Sequence, residues 1–366
     1  MASDVAPASP IFRLEEHALA VDPRVIEAEF DRIWRDTARA GADDSSTRVR
    51  VLNLVAITSS EEGRGRFEDM MQLLPQRHPC RGILVAAQDS HDRLNAVISA
   101  HCWRSGTSRG HVCSEEVLLT GSPQQERELA SAVLALLVTD LPVTVWLMDE
   151  AAPTHTLGAR LLDSSDAAVI DSGRSREPRS AFERALALRE EYGVTCHDLA
   201  WGRLSTWRAL SAQLFDGEDG AREIGLIESI EVRGGSGARF ADALLLAAWL
   251  ANGLRLTLAD CSVDGERCDA ALYDGTRHVR LRIDHGAPDG VEAVRIRTSD
   301  AEFRIERHAV SGHVHVRESW DSGSTQRVVD QHPHDDASII ERALDGAITA
   351  ASVYEDALRT AIALCG

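Results

Sequence analysis

Apolar residues recur along the chain in two alternating periods. From Asp22 to Ala40 they fall at helical spacing on Val25, Ile26, Phe30, Ile33 and Trp34, with Pro23 near the start and Gly41 after the end, which predicts an amphipathic opening helix. Arg48–Thr58 is β-branched and apolar, Phe67–Leu74 is helical in pattern, and Arg81–Ala87 is again a short apolar run. The order so far is strand, helix, strand. Leu94–Trp103 and Val112–Thr120 predict two further strands, followed by a helix over Pro123–Val138, a strand over Val143–Met148, a short helix near Leu157 and a strand over Ala167–Asp171. Helices over Pro178–Tyr192 and Leu204–Phe215 close this half. Strands alternating with helices of this length predict an α/β layer with at least partly parallel pairing.

Asp216–Arg222 holds two glycines and three acids and reads as a surface linker. It divides an α/β domain over residues 1–215 from an α+β domain over residues 216–366. In the second domain Ile224–Arg233 is strand-like, Gly234–Gly237 is a loop, and Phe240–Asn252 is a strongly apolar helix stopped by Gly253. Between Arg255 and Asp330 five or six short alternating segments, among them Val279–Asp284, Val291–Thr298 and Val314–Trp320, predict an antiparallel meander with one polar face. Helices over Asp335–Ala350 and Val353–Leu364 finish the chain, with Asp335 placed to cap the first of them.

Length and charge narrow the function classes. The 366 residues, 44% of them apolar, are enough for two or three domains with a large core. Acids outnumber bases 58 to 39, and a net charge of −19 would repel a phosphate backbone, so nucleic acid is not an expected partner. All 39 basic residues are arginine. That excludes a Walker lysine, a Schiff base and a pyridoxal-phosphate anchor. The longest apolar run, Ala243–Ala251, is about half of the roughly 20 residues that a membrane span requires, so no membrane is expected either. Met1–Pro10 lacks the basic and apolar regions of a secretory leader, which points to the cytoplasm. In that compartment Cys80, Cys102, Cys113, Cys196, Cys261, Cys268 and Cys365, none in CxxC spacing, are expected to be mostly reduced thiols.

Several constellations carry possible chemistry. Gly234, Gly235, Ser236 and Gly237, flanked by Arg233 and Arg239, lie between a strand and a helix, where free N–H groups attract an anion. An ordinary flexible turn is the favoured reading of the same residues, since neither GxGxxG nor GxSxG is matched. His313 and His315 share one face of a strand, with His332 and His334 close behind, yet the spacing fits no zinc signature and no metal is expected. Histidine stands beside cysteine at His78–Cys80, His101–Cys102, His111–Cys113 and Cys196–His197. Adjacent strand residues point to opposite faces, so adjacency alone builds no nucleophile, and no catalytic residue is assigned. Trp201, Arg203, Trp207 and Arg208 fall within eight residues. Tryptophan and arginine supply interface anchors, and with Ser205 as N-cap Trp207, Leu210 and Leu214 would share a helix face. A core helix with tryptophan inward and arginine outward fits the same residues.

At these residues the chain resembles the glucose-6-phosphate dehydrogenase assembly proteins of the OpcA type. The matching stretches are His78-Pro79-Cys80-Arg81, Cys113-Ser114-Glu115-Glu116-Val117, Leu141-Pro142-Val143 leading into Trp146, Asp198–Asp216, Ala243–Leu250 and Val353–Leu358. They follow the family's order over most of the chain. Cys80 stands where many relatives carry serine, a single Trp follows Leu141-Pro142, and the meander carries no matching motif. The resemblance implies a non-enzymatic protein without a cofactor that binds glucose-6-phosphate dehydrogenase and promotes its active oligomer. Such an allosteric activator would feed NADPH production through the oxidative pentose phosphate pathway. Trp201, Arg203, Trp207, Arg208, His78 and Arg81 are the candidate contacts. The alternative is an α/β enzyme or sugar-phosphate-binding protein that uses the Gly234–Gly237 turn as its anion site.

Overall fold

A computed structural model describes residues 12–13, 17–19, 21–40, 46–87, 93–104, 111–149, 156–236, 239–286, 290–308, 311, 313–330, 335–346 and 351–366. The chain forms two compact units. The first comprises Met1–Ile170, Tyr192–His197 and Asp335–Asp345; the second comprises Asp171–Glu191, Asp198–His334 and Gly346–Gly366. The expected linker, Asp216–Arg222, lies within the second unit. The acidic glycine-containing stretch instead folds as a helix over Glu218–Glu223 with Gly220 and Glu223 buried, and Thr298 Oγ1 donates to Glu223 Oε2 over 2.5 Å.

The strands of the first sheet are β1 (Phe12–Arg13), β2 (His17–Leu19), β3 (Ser46–Arg48), β4 (Leu52–Thr58), β5 (Cys80–Ala87), β6 (Asn95–Arg104), β7 (His111–Gly121), β8 (Val143–Leu147), β9 (Ala167–Ile170) and β10 (Thr195–Asp198). Its centre runs β7-β5-β4-β8-β9, all parallel, with Val55 paired to Ile83 on one side and to Val145 on the other. β4 and β8 are buried along their whole length, which explains why they read as continuous apolar runs without alternation. β6 lies antiparallel to β7 at one side. The crossover helices are α1 (Pro23–Ala40), α2 (Glu61–Leu73), α3 (Glu126–Leu136) and α4 (Thr156–Leu162). Winding goes one way from β4 through α2 to β5, and the other way through β8, α4 and β9, so the strand order reverses between β4 and β8.

Two buried polar groups hold this layer in register. The Asn53 side chain on β4 accepts from Val138 N over 2.8 Å and donates to Val138 O over 3.0 Å, fastening the end of α3 to the sheet. Arg81 on β5 is 1% exposed. Its Nε and Nη2 donate to Glu115 Oε2 on β7 over 2.8 and 2.6 Å, its Nη1 to Leu136 O over 2.7 Å, and its guanidinium also meets Glu27 on α1. Glu115 further accepts from Trp34 Nε1 over 2.8 Å. Burial opposes the Arg81 charge, but Glu27 and Glu115 outweigh it and hold the pKa above its ordinary value.

The second sheet contains β11 (Ile227–Gly234), β12 (Thr257–Asp264), β13 (Arg267–Tyr273), β14 (His278–Asp284), β15 (Val291–Thr298), β16 (Ala301–Arg307), β17 (Val314–Trp320) and β18 (Gly323–Val329), in the order β12-β13-β14-β11-β15-β16-β17-β18. Only the β11–β14 pair is parallel. One face is apolar through Leu272, Leu281, Ile283, Ile296, Phe303 and Ile305. The other is a lattice of ion pairs, among them Arg297 to Glu231 at 2.8 Å and to Glu302 at 2.9 Å, and Arg282 to Asp269 at 2.9 Å. The meander has seven strands where five or six were expected. β12 and β18 lack a buried alternation, and β18 is exposed over nearly all its length, so the apolar signal there is too weak to read. This unit's helices are α5 (Pro178–Tyr192), α6 (Leu199–Arg203), α7 (Ser205–Gln213), α8 (Glu218–Glu223), α9 (Phe240–Gly253) and α11 (Ala351–Leu364), while α10 (Asp336–Leu344) belongs to the first unit. Asp335 caps α10 as expected, its Oδ1 accepting from Ser338 N over 2.7 Å.

The thiol expectation changes at one pair. Cys102 and Cys113 stand opposite each other on β6 and β7, with Cα atoms 4.1 Å apart, and form a disulfide. Cross-strand neighbours in an antiparallel pair lie within bridging reach, which two separate Cys–His dipeptides do not reveal. Cys80, Cys196, Cys261, Cys268 and Cys365 are free thiols.

The Arg81 cluster predicts a non-additive stability effect. Arg81→Met, which strands Glu115 without its main counter-charge, is expected to lower the unfolding free energy by about 3–5 kcal/mol. Replacing Arg81 and Glu115 together by apolar residues should recover most of that loss. Urea unfolding of the full chain measures both, and additive losses would contradict the account.

Candidate functional site

The Trp-Gly-Arg-Leu-Ser-Thr-Trp-Arg segment begins where Asp198 caps α6 through a bond from Ala200 N of 2.9 Å. The same carboxylate accepts from Ser172 N over 3.1 Å, Ser172 Oγ over 2.5 Å and the Tyr354 hydroxyl over 2.8 Å. Burial pushes the Asp198 pKa up to about 6, although the Ser172 and Tyr354 hydrogen bonds pull it down. Trp201 packs against Tyr354 with ring centroids 5.3 Å apart. Arg208 lies 3.6 Å over the Trp201 ring and donates to Trp201 O over 2.6 Å. Ser205 is not the cap of α7, because Leu204 holds that position and the carboxylate of Asp198 has already ordered the preceding turn.

Arg203 grips Asp171 with both terminal nitrogens, over 3.0 and 2.6 Å, and also meets Asp242 on α9 at 3.4 Å. Burial opposes its charge, but Asp171 and Asp242 raise the pKa well beyond its ordinary value. Arg239 lies 3.7 Å from Asp242, and burial together with Arg203 lowers its pKa. The turn that carries Asp171 passes so close that a Cβ on Gly173 would stand 2.0 Å from Asp242 Oδ1 and 2.6 Å from Arg203 Nη2. Only glycine fits there.

These positions place the candidate contacts differently from a surface motif. Trp201 and Trp207 are 2% and 3% exposed, so the rings pack inside the second unit, with Leu210 and Leu214 on the same buried face as Trp207. Arg81 lies within the first unit, and His78 at its partly exposed margin beside Asp345, 3.4 Å from Nε2 to Oδ1. Of the alternative anion site, Arg233 is paired with Glu292 at 3.0 Å, and Gly235 N is already bonded to Gly290 O. Gly234 and Gly235 have φ of 149° and 73°, the left-handed backbone their turn requires. Ser236 follows them, and Gly237 lies outside the described residues. His313 pairs with Asp330 at 2.7 Å and His315 bonds Gln326, while His332 and His334 lie outside the described residues. Beside thiols, burial and Glu116 push Cys80 up to about 12, which leaves it protonated, and burial lowers the His197 pKa.

Sequence reasoning missed Asp149. In a doubly wound sheet the ligand crevice lies at the carboxyl ends of the strands where the order reverses, here the ends of β4 and β8. At that point the Asp149 carboxylate, just after β8, accepts from Ser59 N, from Ser59 Oγ over 2.7 Å and from Thr58 Oγ1 over 3.1 Å. Ser60 N is taken by Thr58 Oγ1 and Gly63 N by Ser60 Oγ, and Glu61 and Glu62 occupy the first turn of α2. Three backbone amides at the start of this helix thus meet the chain's own side-chain oxygens, and its first turn is acidic. The only sequence signal for it is the acid that ends a strand run, Met148-Asp149-Glu150.

Fold and site together define a two-unit α/β protein in which each unit contains a guanidinium–carboxylate cluster, Arg81 with Glu115 and Glu27 in the first and Arg203 with Asp171 and Asp242 in the second. Family models for the glucose-6-phosphate dehydrogenase subunit N-terminal domain and C-terminal domain match residues 72–187 and 194–358. The chain belongs to this OpcA family. It is 30% identical over 224 residues to an OxPP cycle protein OpcA of Nostoc punctiforme, covering 61% of this chain and 46% of that one. It is 28% identical over 237 residues to the protein of the same name in Synechococcus elongatus, covering 63% and 51%. The chain thus spans about half the length of the curated relatives it matches.

Among solved structures the fold is similar to a 3-ketoreductase from Actinomadura kijaniata, in complex with TDP-benzene and NADP, with TM-score 0.51, 14% identity and coverage of 85% of this chain and 95% of that one. An aldose-aldose oxidoreductase from Caulobacter crescentus gives TM-score 0.50 and 11% identity, covering 86% and 96%. At such identities the likeness concerns the fold alone. A dinucleotide pyrophosphate needs free backbone N–H groups at a glycine-rich helix start. With Asp149 bonded to Ser59 N, Ser60 capping Gly63 N and two acids in the first turn of α2, the residues present do not fit that group.

Two outcomes follow from this geometry. Calorimetric titration of the chain with NADP+ is expected to show no binding tighter than a Kd of about 1 mM, which corresponds to roughly −4 kcal/mol; a micromolar site would contradict the crevice as described. The second concerns Asp198, raised from 3.8 to about 6 in the folded chain. Between those values the folded state holds a proton that the unfolded state has released, so this group's contribution to stability falls as pH rises through the window and stays low above it. Relative to Asp198→Asn, the parent should therefore lose roughly 2–3 kcal/mol of unfolding free energy on passing from about pH 4 to pH 7. Parallel pH profiles of the two proteins would contradict it.

Proposed function

We propose that this chain is a non-catalytic subunit of glucose-6-phosphate dehydrogenase that promotes the enzyme's active oligomer and so serves the oxidative pentose phosphate pathway. The observation that carries the reading is the Asp149 closure in a chain of this family: the crevice that takes a dinucleotide in doubly wound enzymes is filled by the protein's own carboxylate. The family is that of a glucose-6-phosphate dehydrogenase subunit, and the curated relatives are named for the OxPP cycle. Activation of this kind is allosteric, and it requires higher affinity for the active form of the enzyme than for the inactive one, since equal affinity moves no population.

The candidate contacts divide into two roles under this reading. Trp201, Trp207 and Arg81 shape the surface from beneath, while the exposed parts of Arg203, Arg208 and His78 are available to a partner. Mixing tests the proposal. The purified chain alone should reduce no NADP+ with glucose 6-phosphate, whereas adding it to the dehydrogenase of the same cell should raise the rate and move the enzyme to an earlier elution volume. Turnover by the chain alone, or an enzyme unchanged in rate and elution, would overturn the reading. Calorimetric binding of glucose 6-phosphate to the chain alone, lost in Arg233→Ala with Arg239→Ala, would favour the sugar-phosphate alternative instead.

A further inference from the structure

His78 lies just before β5, and Glu341 and Asp345 lie four residues apart at the end of α10, on one helix face. One donor atom from each of the three lies within 4.8 Å of the others. All three belong to the first unit. An imidazole nitrogen with two carboxylate oxygens is a donor set that suits a divalent transition ion, above all Zn2+. Two ligands held about 2.1 Å from a tetrahedral Zn2+ stand about 3.4 Å apart. His78 Nε2 and Asp345 Oδ1 are already 3.4 Å apart, the length of one such edge.

The surroundings favour a cation. Asp345 is the C-cap of α10, so the last carbonyls of the helix add negative potential. Glu341 carries Arg77 as an ion-pair partner, but that arginine is 76% exposed and the pair is a surface one, so an incoming metal displaces it at little cost. His78 and Glu341 are 19% and 20% exposed, which leaves them positioned yet reachable, and Asp345, at 57%, forms the open side. The His78 backbone is held by its N–H bond to Leu74 O at 2.9 Å.

We propose that His78, Glu341 and Asp345 form a Zn2+ site that clamps α10 onto the turn before β5. The segment Asp335–Asp345 returns to the first unit from a chain whose flanking residues belong to the second. A metal at its end ties that return to the strand layer. The site requires no catalytic step.

The test uses the full chain, stripped with a chelator and titrated with ZnCl2 by calorimetry and thermal melting. One equivalent is expected to bind, with the melting temperature rising by about 4 °C or more once the ion exceeds its Kd a hundredfold. His78→Gln and Asp345→Asn should each weaken binding at least roughly tenfold. Because Asp345 is exposed, its asparagine variant should melt at the parental temperature without metal, which separates ligation from folding. Glu341→Gln is a second check on the same point. No binding, unchanged affinity in these variants, or equal affinity for Mg2+ would each overturn the proposal, the last because it removes any need for the imidazole.

Discussion

The constraint common to both units is a guanidinium set among carboxylates, buried at Arg81 and partly exposed at Arg203. Such a group loses its hydration on folding, and only a full set of charged acceptors in fixed directions compensates. Arg81 finds Glu115, Glu27 and a helix-end carbonyl; Arg203 finds Asp171 and Asp242. Each cluster draws its members from segments far apart in sequence. A chain that misplaced any one of them would bury an unpaired charge, so the clusters select the native arrangement of strands and helices as much as they stabilise it.

This explains a feature of the sequence that otherwise looks functional. Four of the six stretches that carry the family resemblance meet in pairs inside the fold: His78–Arg81 meets Cys113–Val117 through the Arg81–Glu115 bridge, and Asp198–Asp216 meets Val353–Leu358 through Asp198 and Tyr354. Motifs rich in tryptophan, arginine and acid invite an interface reading, because those side chains anchor interfaces. They are also the side chains needed to seal a polar cluster under an aromatic lid, as Trp201 does between Tyr354 and Arg208. Residue type alone cannot separate the two uses; burial does.

What was legible in the sequence follows from period and length. The parallel α/β layer, the apolar α9 and the polar-faced meander all rest on strong hydrophobic repeats, and all are present. The boundary and the edge strands were illegible because their signals are local and weak. Gly217 and Gly220 read as breakers, yet one precedes α8 and the other packs within 2.1 Å of Leu214 O at the position of a Cβ. The interleaving of the two units is invisible to any local pattern, since α10 has the same amphipathic spacing whichever unit receives it. The disulfide was missed for a related reason: pairing of Cys102 with Cys113 depends on the β6–β7 register, and that register emerges only when the sheet is assembled.

The doubly wound sheet sets the last step. A doubly wound sheet creates a crevice at its switch point whatever the chain does with it, because the geometry comes from the reversal of strand order and not from any side chain. Whether the crevice takes an anion depends on who owns the amide hydrogens at the start of the first helix. In a dinucleotide enzyme they are left free and glycine keeps the approach open. Here Asp149, Thr58 and Ser60 take those of Ser59, Ser60 and Gly63, and Glu61 and Glu62 add charge of the same sign as a phosphate. A carboxylate at that helix start stabilises the fold through the helix dipole by the same electrostatics that would otherwise hold the ligand. At this helix start the chain therefore uses as an internal cap the electrostatics that elsewhere hold a ligand.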